Sequence, residues 1–184
     1  MTEIAEVKGL TPAQQKFILH WGEMGARWGI NRTVAQVHAL LYIWPAPLPA
    51  EDVARLLEIA RSNVSTSLRE LQNWRLARVV HHKGDRRDHF ETVHDVWEMF
   101  RIILEERRKR EIEPTLALLR ECVAEVERER VPSPVTRSRL RSLLEGFEIA
   151  STWYTQMREV PSCIVLQIAK MGTRVLRILR PSKG

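Results

Sequence analysis

"RSNVSTSLRELQNWRLARVVHHKGDRRDHFETV", residues Arg61–Val93, decides the fold. Its first half has the period of a helix. Val64, Leu68 and Leu71 fall at i, i+4 and i+7 and make one apolar face. The opposite face carries Ser62, Thr66, Arg69 and Asn73, flanked by Ser65 and Glu70. Ser62 is the expected N-cap. After Leu76 the pattern changes to two short strands, about Ala77–His81 and Asp88–Val93, around a tip at Lys83–Arg87. Gly84 permits a tight turn at that tip.

Immediately upstream, "AEDVARLL" predicts a short helix with Pro49 or Ala50 near its start. Two helices joined by a tight turn and followed by a β-hairpin make a winged helix-turn-helix. The major groove of B-DNA is ~12 Å wide and admits one α-helix. The Ser62–Asn73 face is small at its N-terminal end and can hydrogen-bond along its length. Ser62, Asn63, Ser65, Thr66 and Arg69 are therefore the expected major-groove set. Arg61, Lys83, Arg86 and Arg87 are the expected backbone and minor-groove contacts. Charge placement agrees. Between Arg61 and Phe90 lie seven basic residues and three acids, a net of +4 out of +6 for the whole chain. Positive charge is thus concentrated where a phosphate backbone would lie.

The rest of the chain is mainly helical. Thr11, Pro12 and Gln14 form an N-cap, an N1 proline and the second half of a capping box. Phe17, Trp21, Met24 and Trp28 follow as a narrow apolar stripe with the spacing of a helix-pair seam. Gly29 ends that helix. Asn31 or Thr33 caps the next one, which runs through Val34, Val37, Leu40, Leu41 and Trp44 until "WPAPLP" stops it. A long helical region starts near His94, with Val96, Trp97, Phe100, Ile103 and Leu104 on its apolar face. "EERRKRE", Glu105–Glu111, is expected to be solvated all round, and Pro114 to kink or break the helix. Ile112, Leu116, Leu119, Val123 and Val126 resume the stripe. "VPSPV" reads as a linker, Arg137–Met157 as a further helix and "VPSC" as a second break.

The expected fold is mainly α with a small β-hairpin wing. Four regions follow: N-terminal helices at 11–45, the winged helix-turn-helix at 46–93, a long kinked dimerisation region at 94–131, and a helical extension at 132–184. The seam residues Phe17, Trp21, Met24, Trp28, Leu116, Leu119 and Val123 predict a homodimer, because they offer more apolar face than one small domain covers. Two recognition helices related by a two-fold would sit ~34 Å apart and read a near-palindromic operator in double-stranded DNA.

The motif "LPAEDVARLLEIARSNVSTSLRELQNWRLARVVHHKGDRRDHFETV" resembles the DNA-binding region of the MarR family of bacterial regulators. The flanking "HWGEMGARWGINRTVAQVHALLYIWPAPLPAEDVA" and "FETVHDVWEMF" are similar to the GbsR branch. The resemblance covers roughly residues 11–130 and implies a dimeric winged-helix transcriptional regulator, expected to be a repressor. It implies that Arg86 or Arg87 enters the minor groove, oriented by Asp85 or Asp88 through a charge-assisted hydrogen bond. It also suggests a small-molecule effector. Trp21, Trp28, Trp44 and Trp97 would then hold a quaternary ammonium compound by cation–π attraction, although core packing is their default role.

The remaining features are bland. His81, His82, His89 and His94 match no closed zinc pattern, and no metal or cofactor is expected. Cys122, between Leu119 and Val123, is expected to be a core thiol, and Cys163 the more exposed one. Nothing in the motifs asks for an enzyme. No apolar run approaches the ~20 residues needed to span a bilayer, and the N-terminus lacks a signal's basic start, so a cytoplasmic protein is expected. The tail "IVLQIAKMGTRVLRILR" is basic and amphipathic, with dimer packing favoured over a membrane surface. The competing classes are a winged-helix module that binds protein instead of DNA and a membrane-associated sensor acting through this tail.

Overall fold

The computed structural model describes residues 9–129, 133–158, and positions 160, 161, 164, 167 and 171. It divides into two compact units, Met1–Ile102 and Ile103–Gly184, and the division falls inside a helix.

In the first unit α1 (Pro12–Arg27) packs on α2 (Arg32–Ile43). The capping box at the start of α1 is formed: the Gln14 amide donates to the Thr11 hydroxyl at 3.3 Å, and the Thr11 amide donates to the Gln14 side chain at 2.9 Å. The buried face of α1 is Ile18, Gly22 and Gly25, and not the aromatic stripe beside it. A Cβ on Gly25 would stand 2.6 Å from the Cβ of Ala35, and one on Gly22 would stand 2.6 Å from Gln36 Cγ. The glycines let the two backbones approach closely. Asn31 caps α2 by accepting from the Thr33 amide at 2.8 Å, which decides between the two candidates. Trp44 stands at the C-cap and is half-buried, outside the helical core.

The stretch after α2 contains a strand that the sequence pattern did not announce. Leu48–Pro49 form β1, which pairs antiparallel with β3 (His89–Thr92). Two residues, one of them proline, carry no readable period, and proline is tolerated there because the strand lies at an edge. β3 also pairs antiparallel with β2 (Ala77–Val80), so the sheet order is β1-β3-β2. The expected hairpin is present, slightly shorter at its ends.

Between β1 and β2 lie α3 (Ala50–Leu57) and α4 (Arg61–Asn73). α3 ends on Glu58 in the left-handed region at φ 55, which turns the chain into α4 within a few residues. Ser62 does not cap α4. Ala60 takes the N-cap place without a side-chain bond, and Ser62 sits inside the first turn. Val64, Leu68 and Leu71 are buried as their spacing requires, and Ser67 joins them. They meet α2, whose Val37, Ala39 and Leu40 are wholly buried.

α5 (Val96–Arg107) is capped by Asp95, which accepts from the Glu98 amide at 2.8 Å. Of its expected apolar face only Ile103 is buried, together with Met99. Val96, Trp97, Phe100 and Leu104 are exposed. The helix passes through a π-turn, Arg108–Ile112, into α6 (Glu113–Arg128). Pro114 sits in the first turn of α6. It has no N–H to donate and would crowd the carbonyl four residues back, so the backbone widens ahead of it instead of breaking. α7 (Pro134–Arg158) pairs with α6 in the second unit. Glu105 and Arg108 are not solvated all round: Glu105 accepts from Arg108 at 3.0 Å and pairs with Arg158 at 3.3 Å. Cys122 is half-buried and not a core thiol. Cys163 and most of the basic tail lie outside the described residues. Among the described residues no helix is long and apolar enough to cross a membrane.

Candidate nucleic-acid interface

The exposed face of α4 is built as its spacing predicts. Ser62, Asn63, Ser65, Thr66 and Arg69 are all exposed, while Val64, Ser67 and Leu68 hold the opposite side of the helix in the core. Residues at the start of α4 are small, so nothing bulky keeps a groove away from the helix backbone. α4 begins with its first amides uncapped by any side chain. An uncapped N-terminus leaves N–H groups and a partial positive charge available to an anion.

Arg61 starts α4 and is held by Glu51 at the start of α3, at 2.6 Å. That contact pins the two helices of the helix-turn-helix at one end. Sequence reasoning missed Glu51, and ten residues of separation gave no local signal for it.

The tip of the wing is tightly specified. Gly84 takes φ +93, a conformation that side chains rarely adopt, and the Asp85 amide donates to the His82 carbonyl at 3.1 Å. Asp85 then clasps Arg87. Its Oδ1 accepts the Arg87 amide at 2.9 Å, while Arg87 Nε and Nη2 reach Oδ1 at 3.1 Å and Oδ2 at 2.6 Å. The guanidinium bonds hold the Asp85 carboxyl well below the usual carboxylate range and push Arg87 up. Of the pairings open between Arg86 or Arg87 and Asp85 or Asp88, the structure brings together Asp85 and Arg87. Asp88 lies instead 3.7 Å from His81 Nδ1, and Arg86 is exposed with no ion-pair partner among the described residues.

His89 supports this clasp from below. It is buried on β3, its Nδ1 makes a hydrogen bond with the Arg87 carbonyl at 3.0 Å, and its Nε2 is 3.5 Å from Asp85 Oδ2. The His82 ring meets it edge-on at 4.6 Å. The two ends of β3, His89 and Thr92, are its buried residues, so strand alternation in "HFET" gave no signal for His89. Among the described residues no group of three or more His, Cys, Asp or Glu side chains is placed to hold a metal ion.

Charges around the face divide into two kinds. Arg61 and Arg78 are neutralised by Glu51 and Glu91. Among the described residues Arg69, Arg75 and Lys83, like Arg86, have no ion-pair partner, and all four are exposed. The free positive charge therefore sits on α4, on the turn after it and on the wing tip.

The other predicted residues fall elsewhere. Phe17, Trp21 and Met24 are half-buried beside the packed face of α1, and Trp28 is exposed. Trp21 belongs to an aromatic ladder: its ring lies 5.4 Å from Phe17 and 6.4 Å from His38, which is 6.4 Å from Tyr42. Trp97 faces Phe100 at 6.5 Å. Of the expected C-terminal seam, Leu116 and Leu119 are already buried within a single chain, in the unit where α6 pairs with α7, and Val123 is half-buried. α7 supplies cover that the stripe alone did not reveal.

Residues 28–88 match the family model described as "MarR family", a span that runs from the end of α1 through α4 to the wing tip. No curated protein matches the chain in sequence. Among solved structures, a crystal structure of a transcriptional regulator is similar at 18% identity and a TM-score of 0.62, covering 80% of this chain and 96% of that one. A mutant of S. aureus MepR bound to an oligodeoxyribonucleotide is similar at 14% identity and a TM-score of 0.37, covering 91% of this chain and 93% of that one.

Proposed function

We propose that the chain is a MarR-type winged-helix transcriptional regulator that binds double-stranded DNA in the cytoplasm. One observation carries this reading: an exposed, small, hydrogen-bonding helix face lies in the same unit as a wing whose Arg87 guanidinium is held by Asp85. The match of residues 28–88 to the MarR family supports it. α4 enters the major groove, with Ser62, Asn63, Ser65, Thr66 and Arg69 at base edges and phosphates. Arg87 enters the minor groove, Asp85 keeping its guanidinium in one orientation, and Lys83 and Arg86 lie on the backbone. Arg61 contributes less charge than its position suggests, because Glu51 neutralises it.

The regulator acts as a homodimer on a near-palindrome. Large apolar side chains left open in one chain, among them Trp28, Ile149 and Trp153, support a second copy. Repression, relieved by a small effector, is the working mode within this reading. A quaternary ammonium effector would touch Trp21, Trp28, Trp44 or Trp97, and calorimetry with choline tests it. Selection of bound duplexes from a random pool tests the function itself. The expected result is a two-fold-related motif with half-site centres about one helical turn apart. A pool that stays random after repeated rounds contradicts it.

A further inference from the structure

His89 is the first residue of β3, and its side chain is buried although Arg87 and Asp88 just before it are exposed. Its backbone is set between two strands, opposite Val80 of β2 and Pro49 of β1. The imidazole therefore belongs to the sheet. The tip is different. Residues 81–88 belong to no strand, so no ladder fixes the backbone that carries Arg87. A loop of this kind is mobile unless its own polar groups are bonded.

Both backbone polar groups of Arg87 are bonded, each by a different side chain. Its amide donates to Asp85 Oδ1 at 2.9 Å, and its carbonyl meets His89 Nδ1 at 3.0 Å. A carbonyl only accepts, so Nδ1 carries the hydrogen. The other ring nitrogen, Nε2, stands 3.5 Å from Asp85 Oδ2, too far for a good hydrogen bond. The His82 ring lies edge-on to the imidazole at 4.6 Å and restricts its rotation. The two bonds have different reach. Asp85 sits in the same loop as Arg87, so its clasp orients the guanidinium relative to the loop. His89 sits in the sheet, so its bond orients the loop relative to the domain.

We propose that His89 is a positioning residue for DNA recognition: its Nδ1–H ties the Arg87 backbone to the sheet, and Arg87 reaches the minor groove already ordered. The role rests on the reading of the chain as a DNA-binding regulator. A side chain ordered in advance gives up less freedom on binding, so the tie raises affinity without itself touching DNA.

The test uses the full chain with His89→Leu, His89→Asn and His89→Gln. Leucine keeps the apolar bulk and removes the donor. Asparagine carries an N–H as near the backbone as Nδ1, whereas glutamine carries its amide one bond farther out. Order at Arg87 is read without DNA, by ¹⁵N relaxation of its Nε–H group, whose signal is assigned by its loss in Arg87→Ala. That group should be rigid in the wild type and in His89→Asn, and mobile on the nanosecond scale in His89→Leu and His89→Gln, all with wild-type far-UV dichroism. Affinity is read on a duplex recovered from the random pool. His89→Leu should weaken it roughly threefold to tenfold, and His89→Asn should restore it. In the Arg87→Ala background His89→Leu should have no further effect. An Arg87 that stays equally ordered in folded His89→Leu, or an equal loss of affinity with and without Arg87, would overturn the positioning role alone. A wild type that recovers no duplex would overturn the DNA reading, and the positioning role with it.

Discussion

In α2, Val37, Ala39 and Leu40 have no exposed surface, whereas α7 runs for 25 residues without one buried side chain. Charge divides the two regions the other way. Around α4 and the wing, Arg69, Arg75, Lys83 and Arg86 have no ion-pair partner among the described residues. On the second unit Arg107, Arg108, Arg120 and Arg141 are each paired with a glutamate. The first region is finished as a core and unfinished as an electrostatic surface. The second pairs most of its described arginines with glutamates, Arg128 and Arg139 among the exceptions, and is unfinished as a core. Free cations ask for a polyanion; open leucines, isoleucines and tryptophans ask for apolar cover.

The sharpest way to break this contrast is truncation in the finished core. Leu40→Ala should cost about 2–5 kcal/mol of stability, the range for a fully buried leucine, measured by urea denaturation. Next comes the α1–α2 contact. Gly25→Ala places a methyl 2.6 Å from that of Ala35 and should cost about 1–3 kcal/mol. A neutral or stabilising result would mean that the helices do not meet as described.

His38 tests the same core by pH. It is buried between Trp21 and Tyr42, its Nε2 has no partner among the described residues, and burial lowers its pKa from 6.5 to about 4. The folded state therefore keeps the imidazole neutral, and the unfolded state takes up the proton first. This contribution is intact above pH 6.5 and is lost as the pH falls toward 4. The slope is on the order of 1.4 kcal/mol per pH unit within that window. In His38→Leu that part of the pH dependence should vanish from denaturation midpoints measured across the same window. The smallest effect belongs to the unfinished region. Ile149→Ala should change the stability of one chain by less than about 0.5 kcal/mol, as expected for an exposed residue. Any larger loss should appear only as a dependence on protein concentration, seen by comparing dilute and concentrated samples.

Sequence pattern revealed what depends on local period. The Thr11–Gln14 box, the buried Val64–Leu68–Leu71 face, the hairpin and the Gly84 tip are all set by neighbours in the chain. What it missed depends on distant partners. Leu48–Pro49 becomes a strand only because β3 lies beside it. Gly22 and Gly25 look like weak points in a helix until Ala35 and Gln36 arrive opposite them. Glu51 is one acid among many until the turn at Glu58 brings Arg61 to it. At the wing the pattern supplied two arginines and two aspartates, and only the backbone at Gly84 decides that Asp85 clasps Arg87. The π-turn was partly legible, since Pro114 announced a disturbance but not its form.

The central claim is that the free charge of α4 and the wing is built for a phosphate backbone. Its most direct test is the affinity of the full chain for a selected duplex, measured against salt concentration for the wild type and for Arg86→Ala. The wild type should lose affinity linearly on a log–log plot with a steep negative slope, and Arg86→Ala should bind more weakly with a slope shallower by about one. Affinity that ignores salt, or identical lines for the two proteins, would contradict the account.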